Sequence, residues 1–71
     1  MVVLTFYSTY FALTAEKVVR AAGLSGKLIP VPRQISTSCG TALRLEEAEV
    51  DTALQLLHGA GVEVSGVHHL P

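Results

Sequence analysis

The middle of the chain reads Pro30-Val31-Pro32-Arg33-Gln34-Ile35-Ser36-Thr37-Ser38-Cys39-Gly40. The two prolines of this segment fix their own φ angles and favour extended conformations at the residues before them. Strand-like sequences lie on both sides, at 27–31 and 41–45. The segment therefore predicts the loop of a β-hairpin, and we call residues 32–40 the Cys39 loop.

A strand and a helix are predicted before this hairpin, and a helix and a strand after it. Residues 2–7 are β-branched and aromatic and predict a strand, and the apolar stripe of 8–22 predicts a helix. A second helix is predicted after the acidic residues at 46–51, and a last strand at 62–68. The order strand-helix-strand-strand-helix-strand predicts a ferredoxin-like α+β sandwich, with two helices on one face of a four-stranded antiparallel sheet. We expect one domain over 1–71.

Cys39 is the only cysteine of the chain and the main candidate for covalent chemistry. A thiolate is a strong nucleophile at neutral pH. The predicted topology brings the end of the first strand, the start of the first helix and the hairpin loop to one end of the sheet. Ser8, Thr9 and Tyr10 are therefore expected to face an exposed Cys39 sulfur, and the positive end of the helix would stabilise a thiolate there.

Polar residues of the Cys39 loop are expected to support the thiolate or a group bound to it. A guanidinium stays cationic at physiological pH, and hydroxyl groups can donate hydrogen bonds to the sulfur. A glycine beside the cysteine would leave space around it. The supporting residues are Arg33, Ser36, Thr37, Ser38 and Gly40.

Two other interpretations of Cys39 are consistent with the sequence. A single cysteine in a small apolar domain is often buried and structural. The chain would then be a non-catalytic interaction module that uses its apolar sheet face or its edge strand at 28–31. Alternatively, Cys39 is a thiol redox sensor that forms a mixed disulfide, because no second cysteine could resolve it.

Composition narrows the range of partners. The formal net charge of −1 and the pI near 6.2 give no electrostatic footprint for nucleic acid or anionic membranes. One cysteine and an N-terminus without a basic region predict a reducing cytoplasm. Because a domain of 71 residues has a small hydrophobic core and marginal stability, binding to a partner protein or forming a homodimer would stabilise it.

The sequence predicts neither a resident cofactor nor a metal centre. The candidate metal ligands lack the spacing of paired metal-binding residues. Histidines at the end of the last strand are also expected to lie away from the hairpin loop. These candidate ligands are Cys39, His58, His68 and His69.

The run at 30–40, together with Thr5-Phe6-Tyr7-Ser8-Thr9 and Ala15-Glu16-Lys17, resembles the small bacterial Se/S carrier protein-like family. The resemblance implies that Cys39 carries sulfur or selenium as a persulfide or selenopersulfide. It also implies donor and acceptor partner proteins, and a carrier rather than a stand-alone enzyme. At Tyr10 and Phe11 the chain departs from the family pattern, which usually has a histidine followed by an acidic residue.

Overall fold

The computed structural model describes residues 1–36 and 39–71. In these ranges a short 3-10 turn at Glu47–Glu49 leads into the second helix. The strands are β1 (Val2–Phe6), β2 (Lys27–Pro30), β3 (Thr41–Leu45) and β4 (Val64–His69), and the helices are α1 (Thr9–Ala21) and α2 (Val50–Gly59).

The strands form one antiparallel sheet in the order β2-β3-β1-β4. This order and the two helices confirm the predicted ferredoxin-like α+β fold. The last strand begins two residues later than predicted. Val62 is used to end α2 instead: its amide donates to the Leu57 carbonyl at 2.9 Å, and its side chain is buried.

Both helices pack on the face of the sheet that carries Val2, Leu4 and Phe6, as the alternation of β1 predicts. Small residues of α1 bring that helix close to the sheet, because their short side chains limit the separation. The buried residues contributed by the helices are Ala12, Ala15, Val19, Val50, Ala53 and Leu57.

The opposite face of β1 is also buried. Val3 is 0% exposed because Ile35, from the Cys39 loop, packs against it and against Ala42. Thr5 on the same face is only 2% exposed. The Cys39 loop therefore covers part of the sheet face that the sequence predicted as a possible surface for a partner protein.

A serine cap begins α1, and a glycine follows its end. The Ser8 hydroxyl oxygen accepts a hydrogen bond from the Phe11 amide at 3.3 Å, which caps the helix. At the other end Gly23 has a φ of 85°, a conformation that glycine adopts without strain. Neither helix among the described residues is long and apolar enough to cross a bilayer.

Glu49 joins the start of α2 to the turn between α1 and β2. Its carboxylate accepts hydrogen bonds from the Ser25 hydroxyl at 2.6 Å and from the Ser25 amide at 3.2 Å. The hydroxyl bond is the main reason that the pKa of Glu49 lies below its ordinary value. The contact therefore stabilises the fold more when the carboxyl group is ionised than when it is protonated.

This linkage gives the first prediction, a pH-dependent loss of stability in Glu49→Gln. Because folding lowers the pKa of Glu49, its carboxylate stabilises the folded state at pH values above the ordinary pKa of 4.5. This contribution is lost as the pH falls through the lower pKa of the folded state. The variant should therefore unfold at lower urea concentration than the wild type at pH 7, and the difference should vanish near pH 2. Glu46→Gln, at an exposed side chain without a capping hydrogen bond, is the control. A gap that persists in acid would contradict the linkage.

Candidate functional site

Cys39 lies two residues before β3, at the end of the sheet where β1 ends and α1 begins. Its thiol donates to the Thr41 carbonyl at 3.3 Å. Its Sγ is 4.0 Å from the Thr9 hydroxyl oxygen, in the first turn of α1. The fold therefore brings the cysteine and the start of the first helix together across 30 residues of sequence.

The sulfur is not exposed. Cys39 is 5% exposed, so the expectation of a sulfur presented to solvent is wrong. The residue belongs to the neck of the hairpin rather than to its tip, since the Val31 amide donates to the Gly40 carbonyl directly beyond it. At this position the side chain is directed towards the first turn of α1.

The neighbours of Thr9 have other roles in the structure. Ser8 is the helix cap described above, so its oxygen already accepts a hydrogen bond. Tyr10 is 71% exposed, and its ring makes an edge contact with Phe11 at a centroid distance of 5.9 Å. Thr9 is thus the one residue of this predicted trio with a described contact to the sulfur.

Arg33 and Ser36, two of the predicted supporting residues of the Cys39 loop, lie in different surroundings. Arg33 is exposed, in the turn that the Ile35 amide closes on the Pro32 carbonyl at 3.0 Å. Ser36 lines a cavity on the helix-free face of the sheet, whereas Cys39 contacts the helix side.

Gly40 does not have a positive φ, and a Cβ atom built on it would meet no atom within 4 Å outside its chain neighbours, Cys39 and Thr41. Whether a side chain at Gly40 would crowd the sulfur therefore stays a prediction. The remaining supporting candidates, Thr37 and Ser38, lie outside the described residues.

A polar cluster on the helix-free face was missed by the sequence reasoning. Thr5 Oγ1 accepts a hydrogen bond from the Ser65 hydroxyl at 2.9 Å and lies 3.3 Å from His68 Nε2. These three side chains and Ser36 help to line a cavity of about 290 Å³. Only the register of β4 on β1 brings them together, so no local motif in the sequence could have indicated the cluster.

Of the two histidines of β4, His69 lies at the other end of the sheet from Cys39, whereas the His68 side chain reaches Thr5 on the helix-free face. His69 pairs with Val2, at the start of β1, whereas Cys39 precedes the segment that pairs with Thr5, near the end of β1. Over the ranges 1–36 and 39–71, no three His, Cys, Asp or Glu side chains are grouped closely enough to hold a metal ion.

A known family matches almost the whole chain. Residues 1–69 match the model of the family described as "Putative Se/S carrier protein-like". Neither the curated proteins nor the solved structures contain a match to this chain. The matched range includes β1, α1, the Cys39 loop and all of β4.

Proposed function

The chain belongs to the Se/S carrier protein-like family, and from this membership we propose that Cys39 carries sulfur or selenium between partner proteins. The carried atom would be bound as a persulfide or selenopersulfide. The partners are a donor protein and an acceptor protein. We place the carrier in the cytoplasm, where a single thiol stays reduced.

The proposed loading step is an exchange at a chalcogen atom. The Cys39 thiolate attacks the terminal sulfur or selenium of a donor persulfide or selenopersulfide. A bond from Cys39 Sγ to that atom forms, the bond to the donor sulfur breaks, and the donor leaves as a thiolate that takes up a proton. An acceptor thiolate then attacks the carried atom in the same way and restores the Cys39 thiolate. No external oxidant or reductant is needed.

The contact between Cys39 and the first turn of α1 is the observation that supports this proposal. The Thr9 hydroxyl lies 4.0 Å from Sγ, so it can donate to a thiolate or to a bound persulfide. The N-terminus of a 13-residue helix favours negative charge at the same place. Both effects stabilise the sulfur anion that attacks in loading and leaves in unloading.

Other polar residues remain candidates to contact the carried atom or the partner. Arg33 is exposed and cationic, so it is available to a negatively charged donor or acceptor. Tyr10 is exposed beside Thr9 and would lie within any partner surface that reaches this turn. The loop hydroxyls of Ser36, Thr37 and Ser38 complete the proposed set.

Mass spectrometry of the intact protein tests the proposal. The folded chain is incubated with glutathione persulfide and compared with Cys39→Ser under the same conditions. We expect a gain of one sulfur atom on the wild type, mapped to Cys39, and none on the variant. Equal labelling of the two proteins, or no added sulfur on the wild type, would refute a carrier role for Cys39.

The burial of Cys39 favours a second function, a non-catalytic interaction module in which the cysteine is structural. A thiol that is only 5% exposed reacts slowly if the surrounding structure does not yield to the donor. The same incubation in urea separates the two functions. Sulfur added only to the unfolded chain supports the module, and sulfur added to the folded chain supports the carrier. A glutathione adduct without added sulfur indicates the redox sensor.

A further inference from the structure

The two edges of the sheet differ in how well they could accept another strand. The β2 edge has four residues and is protected by Lys27 and by Pro30, which has no amide donor. The β4 edge has six residues and contains no proline, lysine, arginine, aspartate or glutamate. A strand from another chain is therefore expected to pair with β4 rather than with the edge strand at 28–31 that the sequence suggested.

Val67 is an apolar residue exposed on this edge. It is 40% exposed and pairs with Leu4, so it lies on the face of the sheet that carries the helices. On the same face Val64, with Leu54 and Val62, lines a groove of about 470 Å³ between α2 and β4. His58 and Glu63 also line this groove, so Val64 and Val67 are the apolar residues that β4 presents on this face.

We propose that β4 pairs in antiparallel fashion with β4 of a second copy of the chain, about a two-fold axis at Val67. Val67 then faces Val67 of the second copy on the helix side. Gly66 faces His68 of the second copy on the helix-free side, since both residues are on that face in the β1 register. The four-stranded sheets join into one sheet of eight strands.

The side chains of this pairing are self-complementary. A β-branched pair at the centre buries apolar surface on both copies. The His68 ring already lies over Gly66 of its own chain, so the Val67 pair and the backbone hydrogen bonds are the main contacts between the copies. A second copy presents the same charges as the first, and like charges on facing strands repel. Self-pairing is therefore favoured at an edge strand such as β4, which has no permanently charged residue. Any charge on His69 faces Glu47 of its own chain, whose Oε1 is 3.9 Å from His69 Nδ1.

The pairing is independent of the chemistry proposed for Cys39. Cys39 precedes β3, and β1 separates β3 from β4 in the sheet. A second copy on β4 therefore leaves the hairpin of each chain uncovered. Variants at Val67 should change the assembly and leave sulfur loading unchanged.

Sedimentation equilibrium of the full chain in reducing buffer tests the assembly. We expect the mass to rise with concentration towards twice the 7.5 kDa of one chain. Val67→Lys should stay at the mass of one chain, because it places two ammonium groups side by side on the axis. The control is Leu13→Lys, on α1, where the side chain is 47% exposed. A wild type that is monomeric at all concentrations, or equal effects of the two lysines, would overturn the proposal.

Disulfide trapping tests the register without relying on a destabilising change. Facing residues of antiparallel strands have Cα atoms about 4.5–5.5 Å apart, within disulfide range. Cys39→Ser with Val67→Cys should form a covalent dimer under mild oxidation. Cys39→Ser with Leu13→Cys should remain mostly monomeric. Equal cross-linking of the two proteins would exclude a two-fold axis at Val67.

Discussion

Replacing Phe6 by alanine is expected to lower the free energy of unfolding by about 3–5 kcal/mol, the usual cost of removing a buried aromatic ring. Phe6 is 0% exposed and lies in the cluster between the sheet and both helices. A 71-residue domain has a total stability of roughly 4–11 kcal/mol at typical values per residue. The variant should therefore lose at least about a quarter of the total stability.

Urea unfolding followed by circular dichroism measures this loss. Leu13→Ala is the matched control, because Leu13 is 47% exposed on α1 and its truncation should change stability by only about 0.5 kcal/mol. Phe6→Leu, which keeps most of the apolar volume, should fall between the two. A Phe6→Ala midpoint no lower than that of Leu13→Ala would show that the helix-side cluster does not determine stability.

The alternation of apolar residues was sufficient to predict the fold. β3 has the predicted bounds, and the other elements differ from prediction by only a few residues. The pattern did not reveal that both faces of β1 are buried, because Ile35 reaches Val3 through a loop without periodicity. Irregular segments pack according to the tertiary structure, which no local signal specifies.

The candidate site was predictable only where topology alone determined it. Strand and helix directions place Thr9 beside Cys39, since both lie at the same end of the sheet. The burial of the sulfur depends on side-chain direction at the neck of the hairpin, and the sequence gives no information on that. The same limit applies to Thr5 and Ser65, which meet through an irregularity in the pairing of β1 with β4.

Replacing Thr9 by valine is expected to slow sulfur loading of Cys39 about tenfold. Hydrogen bonds to charged groups contribute about 1.5–3 kcal/mol. The 4.0 Å separation of Thr9 Oγ1 and Cys39 Sγ is long for such a bond, so the lower end of that range applies. Valine keeps the branched shape of threonine and replaces the hydroxyl group by a methyl group. The initial rate of persulfide formation, measured by mass spectrometry at fixed donor concentration, gives the effect.

Two further variants distinguish the loss of the Thr9 hydroxyl from a general loss of helix stability. Thr9→Ser restores a donor at the same place and should recover most of the loading rate. Thr14→Val makes the same change five residues later, where the hydroxyl donates to the Tyr10 carbonyl at 3.0 Å, and should leave the rate unchanged. If Thr14→Val slowed loading as much as Thr9→Val, the effect would come from helix stability. If Thr9→Val loaded at the wild-type rate, the helix terminus or the loop would have to stabilise the thiolate without this hydroxyl.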